Sequence, residues 1–528
     1  MTNVDIQRAE HDLIISMMNP DIYDHPVESC QLVETHISWV ILTGSYAYKI
    51  KKPINLGFLD FSTPEKRHFY CEEEVRLNRR LAPDIYLEVV PIKGSAESPC
   101  LSCDEPVIEY AVKMVQFPQH VQLDRMLDAG KLQSAHIDAI SRMIACFHSY
   151  TAVADESVRY GDPEQVSHPV IENFSQIREQ FSNKLEELEW ASILDELQHW
   201  SEISFITLRP IFEERKEERY IRECHGDLHL RNLAWFNDAP LAFDCIEFNP
   251  EFRWIDVISE VAFLTMDLQA RHQPELAQRF LNKYLERTGD YAGIRVLRFY
   301  LIYRSMVRAK VDAIRACQAG IGVMEKAKAE KELLSYLRLA QSYIQPSRPK
   351  LIIAHGMSAS GKTTLTQPLL EKLPAIRIRS DVERKRLYGL QAEQPAYATT
   401  GAGIYTGDAT QHTYIKLVEL AGHVIDAGYS VIIDATCQKH EQRDLFKRLA
   451  SVKRVPYIIL EFTASVETLQ QRIVRREKGA SDADVEVLEH QITHWQALRG
   501  EEQAHALRVD TEKSLDMEAL VKQIANKR

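Results

Sequence analysis

The stretch LIIAHGMSASGKTTLTQPLLEKL, residues 351–373, constrains the fold more tightly than any other part of the chain. It contains GMSASGKT, Gly356 to Thr363, which fits G-x-x-x-x-G-K-[ST]. The apolar run LIIAH before it reads as a buried strand, and TTLTQPLLEKL after it reads as a helix. In that setting small residues let the backbone wrap close to an anion, with several N–H groups turned inward. The cradle is expected to run from Gly356 through Met357, Ser358, Ala359, Ser360 and Gly361 to Lys362, Thr363 and Thr364. Lys362 should reach the β and γ phosphates of a nucleotide, and the Thr363 hydroxyl should hold Mg2+. The alternative is a chance glycine-rich turn, and the flanking strand and helix argue against it. A strand–loop–helix of this kind predicts an α/β unit built on a parallel sheet.

Three further segments extend this reading. YSVIIDATC is a second apolar strand ending in Asp434, where an acid supports a metal or its water, unless it merely caps the strand. IRIRSDVERKRL sets Asp381 and Arg384 as D-x-x-R at a strand-to-helix junction. There Asp381 would take a proton from a hydroxyl and Arg384 would clamp a substrate or the transferred phosphate. Helix capping by Ser380 or Asp381 is the plainer reading, and the two are compatible. LQQRIVRREKGASDAD puts Arg472, Arg475 and Arg476 on a helix, with Arg472 and Arg476 four apart on one face. They would close over the phosphates as a lid, or form a solvated basic face. Together these elements resemble P-loop kinases of the polynucleotide kinase, gluconate kinase and zeta toxin type, over most of residues 351–510. The resemblance implies that Asp381 deprotonates an acceptor hydroxyl. The acceptor stays open, because that family phosphorylates sugars, nucleic-acid ends, nucleosides and antibiotics.

A second constellation is HGDLHLRN, residues 225–232. As a zinc site His225 and His229 would share a helix face, but Gly226 interrupts the turn and the Glu of H-E-x-x-H is absent. As a plain loop it would need no downstream partner, yet LAWFNDAPLAFDCIEF follows: a strand, an Asn-Asp turn and a second strand expected to deliver Asp244. That order suits phosphoryl transfer. Asp227 would orient a hydroxyl and receive its proton, while Asn232 and Asp244 would offer hard oxygen ligands to Mg2+. HGDLHLRN with FDCIEF looks like the aminoglycoside phosphotransferase family, over roughly residues 30–270. The resemblance implies a two-lobed, kinase-like fold with a lysine for the α and β phosphates and a helix glutamate to hold it. Lys49 is the candidate lysine with Lys51 open beside it, and Glu74 is the candidate partner with Glu73 open beside it. VKMVQF, residues 112–117, would be the adenine hinge, and Asp256 would buttress the catalytic loop. Two departures stand out: no G-x-G-x-x-G covers the phosphates, leaving only the Thr43-Gly44-Ser45 turn, and the acid strand reads FDC. Acids between residues 150 and 220 (Glu179, Glu186, Glu187, Glu189, Glu213, Glu214) read as a solvated face, with no drug substrate inferred.

The chain has 528 residues, too many for one core. A long helical region from Ile294 to Tyr343 ends at Pro346 and Pro349, which predicts domains at 1–345 and 346–528. The first is α+β, with a strand-rich small lobe over about 30–118 and a helical lobe over about 119–345. Net charge is −12, which argues against a broad surface for duplex nucleic acid. It leaves room for a local basic groove beside Asp381 formed by Arg377, Arg379, Arg384, Lys385 and Arg386. No apolar run has the length of a membrane span, the N-terminus shows no secretion pattern, and the lone C-x-x-C (Cys100, Cys103) lacks a second pair for zinc. A reducing cytoplasm is expected. The order of the two halves resembles bacterial fusion proteins described as aminoglycoside phosphotransferase/ATP-binding proteins. The expectation is a kinase with two sites, using ATP (or GTP in its place) and Mg2+ on small-molecule hydroxyls. A nucleotide sensor with one inactive half, and a nucleic-acid 5′-end kinase, are the competing readings.

Overall fold

A computed structural model describes residues 11–57, 59–181, 190–318, 320–345, 348–392, 394, 403–475 and 484–527. Two compact units form: Met1–Gln165 with Arg215–Leu264, and Val166–Glu214 with Thr265–Arg528.

The first unit is built on a six-stranded antiparallel sheet in the order β1-β2-β3-β6-β4-β5. The strands are β1 (Gln31–Glu34), β2 (Ser38–Leu42), β3 (Tyr46–Lys51), β4 (Tyr86–Gly94), β5 (Pro99–Cys100) and β6 (Val107–Val115). Period-two alternation divides β3 between two faces. Tyr48 and Ile50 join Ile41, Ile92 and Ala111 in one core, and Lys49 and Lys51 point the other way. Helix α1 (Pro64–Asn78) starts where Thr63 accepts the Lys66 N–H and Pro64 occupies the first position. Its buried stripe of Cys71, Glu74, Val75 and Asn78 has helical spacing, so Glu74 faces inward with the apolar residues. Cys100 and Cys103 lie side by side, with Cα atoms 5.9 Å apart.

The HGD loop lies between β7 (Ile221–Glu223) and β8 (Leu233–Phe236), and β7 pairs with β10 (Trp254–Asp256). The expected hairpin is present: β8 pairs antiparallel with β9 (Ala239–Ala242). Its turn residues Asn237 and Asp238 both have positive φ, 51° and 59°, as a tight two-residue hairpin turn requires. One expectation needs correcting. β9 ends at Ala242, so Asp244 stands beyond the strand, in the left-handed region at φ 61°. Helix α2 (Ser134–Tyr150) and the start of helix α5 (Val257–Ala270) complete the surroundings of the loop; α3 (Pro163–Gln180) and α4 (Ala191–Glu217) lie between them in the chain.

The second unit holds helices α6 (Pro274–Thr288), α7 (Ile294–Ala316) and α8 (Val323–Ile344). The helical region expected from Ile294 to Tyr343 is therefore broken in two near Gly320, which has φ 79°. A five-stranded parallel sheet follows, in the order β12-β13-β11-β14-β15. The strands are β11 (Leu351–His355), β12 (Ala375–Arg379), β13 (Ser430–Asp434), β14 (Tyr457–Thr463) and β15 (Ala506–Asp510). β11 is buried along its whole length, and its neighbours β13 and β14 come later in the chain. The order reverses beside it, which opens a crevice at the carboxyl ends of the strands. Among the described residues the longer helices after β11 are α9 (Lys362–Lys372), α10 (Ser380–Leu387), α11 (Gly407–Asp426), α12 (His440–Lys453), α13 (Val466–Arg475), α14 (Val485–His494) and α15 (Met517–Asn526). Leu369 and Leu370 of α9 and Leu520 and Ile524 of α15 pack on Ile352, Ile458 and Leu460 of the sheet. Among the described residues no helix is long and apolar enough to cross a membrane.

Candidate functional site

In the first unit two groups of side chains converge on the end of the β8–β9 hairpin. Lys49 Nζ donates to Glu74 Oε1 at 2.8 Å and to Asp244 Oδ1 at 2.6 Å. Lys51 Nζ donates to Glu74 Oε2 at 2.6 Å and also to Glu247. Both lysines thus share one glutamate, but it is Lys49 that continues to Asp244. Glu73 turns elsewhere, to Arg76 at 2.8 Å. Burial would raise the Glu74 carboxyl, yet Lys49 and Lys51 pull it down to about 2. Glu247 is pushed up by burial, against the pull of Lys51. Asp244 is half exposed, its N–H donates to Tyr86 Oη at 3.1 Å, and the next N–H donates to Asn78 at 2.9 Å. These contacts hold a backbone conformation that is uncommon outside glycine, a form of strain that gathers at functional sites.

The HGD loop is fastened from behind. Gly226 has φ 88°, and a Cβ there would stand 2.7 Å from the Phe252 carbonyl, so glycine is required. Its N–H donates to Glu260 Oε2 at 2.7 Å, while Glu260 Oε1 meets His148 Nε2 at 3.0 Å. The expected buttress, Asp256, is instead paired with Arg215 at 2.6 Å. His225 is buried, and burial lowers its pKa; its Nε2 lies 2.8 Å from the Phe243 carbonyl, so it pins the loop to the hairpin. Asn232 Nδ2 donates to Asp227 Oδ2 at 2.9 Å and to the Asp227 carbonyl at 3.0 Å. That leaves the Asn232 amide oxygen without a partner among the described residues. The backbone of Asn232 accepts the Phe243 N–H at 3.0 Å, which sets it beside the turn that carries Asp244. The Asn232 amide oxygen and the Asp244 carboxylate are hard oxygen donors of the kind Mg2+ takes.

In the second unit the phosphate loop sits at the end of β11. A Cβ on Gly356 would stand 2.6 Å from Ser360 Oγ and 2.7 Å from the Phe462 carbonyl, which is why the first position is glycine. Lys362 Nζ folds back on the loop, donating to the Gly356 and Met357 carbonyls at 2.7 and 2.8 Å. Thr363 Oγ1 donates to Asp434 Oδ2 at 2.8 Å. Strand register explains the meeting: Ala354 of β11 pairs with Asp434 of β13. Hydroxyl and carboxylate again fit Mg2+. Ser360 Oγ is buried and has no hydrogen-bond partner among the described residues, and Ala359 holds φ 63°. Gln491 of α14 accepts the Ser358 N–H at 2.8 Å and donates to Ser358 Oγ at 3.0 Å. Arg472 donates to the Ala359 carbonyl at 3.4 Å and to Thr511 at 2.9 Å. Thr364 is exposed in the first turn of α9, and Asp381 is half-buried. Arg384 donates to the Ile404 carbonyl and to Thr410 Oγ1, both at 3.1 Å, and its buried Nε has no partner among the described residues. Arg476 lies outside the described residues, as do Glu186, Glu187 and Glu189.

Residues 351–512 match the family model AAA_33, described as an AAA domain. This stretch is an AAA domain. Over 467 residues the chain is 29% identical to an uncharacterized protein of Mycobacterium tuberculosis, covering 88% of this chain and 90% of that one. A choline kinase from Cryptosporidium parvum is 10% identical, covers 63% of this chain and 96% of its own, and superposes with a TM-score of 0.39. A gluconokinase from Sinorhizobium meliloti is 18% identical and covers 34% of this chain and 97% of its own, with a TM-score of 0.25.

Four site neighbours escaped the sequence reading. Glu247 carried a signal, since it follows Asp244 by three residues in FDCIEF. Glu260 and His148 gave none, being single polar residues on otherwise apolar helix faces. Gln491 reaches the loop of the AAA domain from α14 with no motif around it.

Proposed function

We propose that the chain is an ATP-dependent phosphotransferase with two nucleotide sites, each passing a γ-phosphoryl group to a small-molecule hydroxyl. The observation that carries the reading is the Thr363–Asp434 hydrogen bond beside Lys362 at the end of a parallel strand. In the AAA domain Lys362 contacts the β and γ phosphates, and Thr363 and Asp434 hold Mg2+. Asp381 accepts the acceptor's proton, while Arg384, Arg472 and Arg476 neutralise the phosphates. In the first unit Lys49, held by Glu74, contacts the α and β phosphates, and Asn232 and Asp244 hold Mg2+. Asp227 takes the proton as the new oxygen–phosphorus bond forms and the bond to the β-phosphate oxygen breaks. Magnesium, bound by these oxygens, neutralises phosphate charge; the protein's own part is alignment and proton acceptance. The functional halves are residues 1–345 and 346–528.

The test is γ-labelled ATP incubated with a fractionated metabolite extract. Asp227→Asn should spare nucleotide binding and lower transfer at the first site by about 10²–10⁴-fold. Lys362→Ala should weaken nucleotide binding and stop turnover at the second. Turnover surviving both changes together sinks the proposal. A sensor role for the first unit has one observation in its favour. The Gly44 N–H, the sole glycine of the Thr43-Gly44-Ser45 turn, is already spent on Gln116 Oε1 at 2.9 Å. A first unit that binds ATP but transfers nothing with any acceptor pool would establish that reading.

A further inference from the structure

Helix α6 lies outside the residues that match the AAA domain, yet it enters that domain's metal corner. Glu286, near its C-terminus, accepts from Arg379 Nη1 at 2.8 Å through Oε1 and from Arg377 Nη2 at 3.2 Å through Oε2. Both arginines project from the edge strand β12. Arg377 continues to Thr366 Oγ1 at 3.2 Å and Gln367 Oε1 at 2.9 Å, in the helix that follows the phosphate loop. Arg379 Nε lies 3.7 Å from Asp434 Oδ2, the oxygen that accepts the Thr363 hydroxyl. An ordered chain therefore runs Glu286–Arg379–Asp434–Thr363. Burial works against the charge of Glu286, but Arg379 and Arg377 hold its carboxyl at about 2, so it stays an anion.

A guanidinium this close to a metal-binding carboxylate competes with the metal for it. With Glu286 present, the charge of Arg379 already has a partner. Without that charge, Asp434 becomes the nearest anion, and magnesium must displace an arginine to reach it. We propose that Glu286 is a positioning residue of the AAA-domain site, holding and neutralising Arg379 so that Asp434 stays available to magnesium. This rests on reading that site as a magnesium–nucleotide site.

The test uses the full chain carrying Lys49→Met, which silences the first site, and a fluorescent ATP analogue titrated at a series of free Mg2+ concentrations. Glu286→Gln keeps the shape and hydrogen bonds but removes the charge. It should raise the Mg2+ needed for half-maximal tightening of nucleotide binding by about tenfold, as expected when a nearby counter-charge is lost, with metal-free nucleotide affinity within about twofold. Adding Arg379→Gln should return the Mg2+ requirement to near its starting value, which a purely structural role for Glu286 would not do. Arg379→Gln alone removes the competitor, so it should leave the Mg2+ response intact or sharpen it. An unchanged Mg2+ requirement in Glu286→Gln, no rescue in the double variant, or a lost Mg2+ response in Arg379→Gln overturns the inference. If the starting protein shows no Mg2+-dependent nucleotide binding that Lys362→Ala abolishes, the reading of the site fails and the inference falls with it.

Discussion

Lys51 is fully buried and shares Glu74 with Lys49, so Glu74 is the anion on which two interior cations depend. Without it Lys49 keeps Asp244 and Lys51 keeps Glu247, but two interior cations share one anion fewer, and the cost approaches the about 3–5 kcal/mol of a broken buried pair. Glu74→Gln should therefore lower the urea midpoint of the first unit, and by far more than Glu73→Gln, whose partner Arg76 is half exposed. The folded carboxyl sits at about 2, below its unfolded value, so its stabilisation is full above the ordinary carboxylate range and fades as pH falls toward 2. His355 acts in a different window. Burial lowers its pKa to about 4, and its Nε2 has no hydrogen-bond partner among the described residues. Between the ordinary imidazole value and about 4 the unfolded chain binds a proton that the folded chain refuses, so stability declines as pH drops through that span. The decline amounts to about 3 kcal/mol at most. His355→Gln should flatten that acid limb in pH-dependent melts of the second unit. At this scale the candidate residues were legible, because Asp227, Asn232, Lys362 and Thr363 sit in spaced motifs. The choice between Lys49 and Lys51 was not, since residues two apart on a strand share a face and only a partner from another element separates them.

Elements were the most readable level. Strand β11, the phosphate loop and α9 follow from one contiguous pattern, and the β8–β9 hairpin from two short strands around Asn-Asp. The break between α7 and α8 was hidden because apolar periodicity resumes after it; the glycines at 320 and 322 were its one local sign. The backbone of Asp244 was also invisible, since its left-handed turn is imposed by Tyr86 and Asn78 from distant elements. The HGD loop depends on backbone geometry in the same way. Gly226→Ala would force a Cβ against the Phe252 carbonyl and into an unfavourable φ, a strain of about 1–3 kcal/mol. Labelled-ATP assays should show transfer lost at the first site and retained at the second, with far-UV circular dichroism unchanged.

At the scale of the whole molecule, the borders of the compact units fall inside helices α3, α4 and α5. The prolines near two of these borders, Pro169 in α3 and Pro210 in α4, lie inside helices that continue past them, so they do not read as linkers. Each unit has its own core, and a ligand that binds only the folded form stabilises it. Mg2+ with ATP at about a hundred times its dissociation constant should add about 2.7 kcal/mol to each unit that binds it. Scanning calorimetry should show Lys362→Ala cancelling the gain in one transition and Lys49→Met in the other. A single transition insensitive to both would contradict two separate nucleotide sites.

The edge of the parallel sheet has its own guard. Asn282 of α6 accepts the Arg377 N–H at 2.8 Å and donates to the Ala375 carbonyl at 3.0 Å, where Gln278 also donates at 2.6 Å. Those amides stand where an adjacent strand would bond. A fragment begun at residue 346 would shed them and bare a ready seam, along which copies of the fragment could zip together and come out of solution.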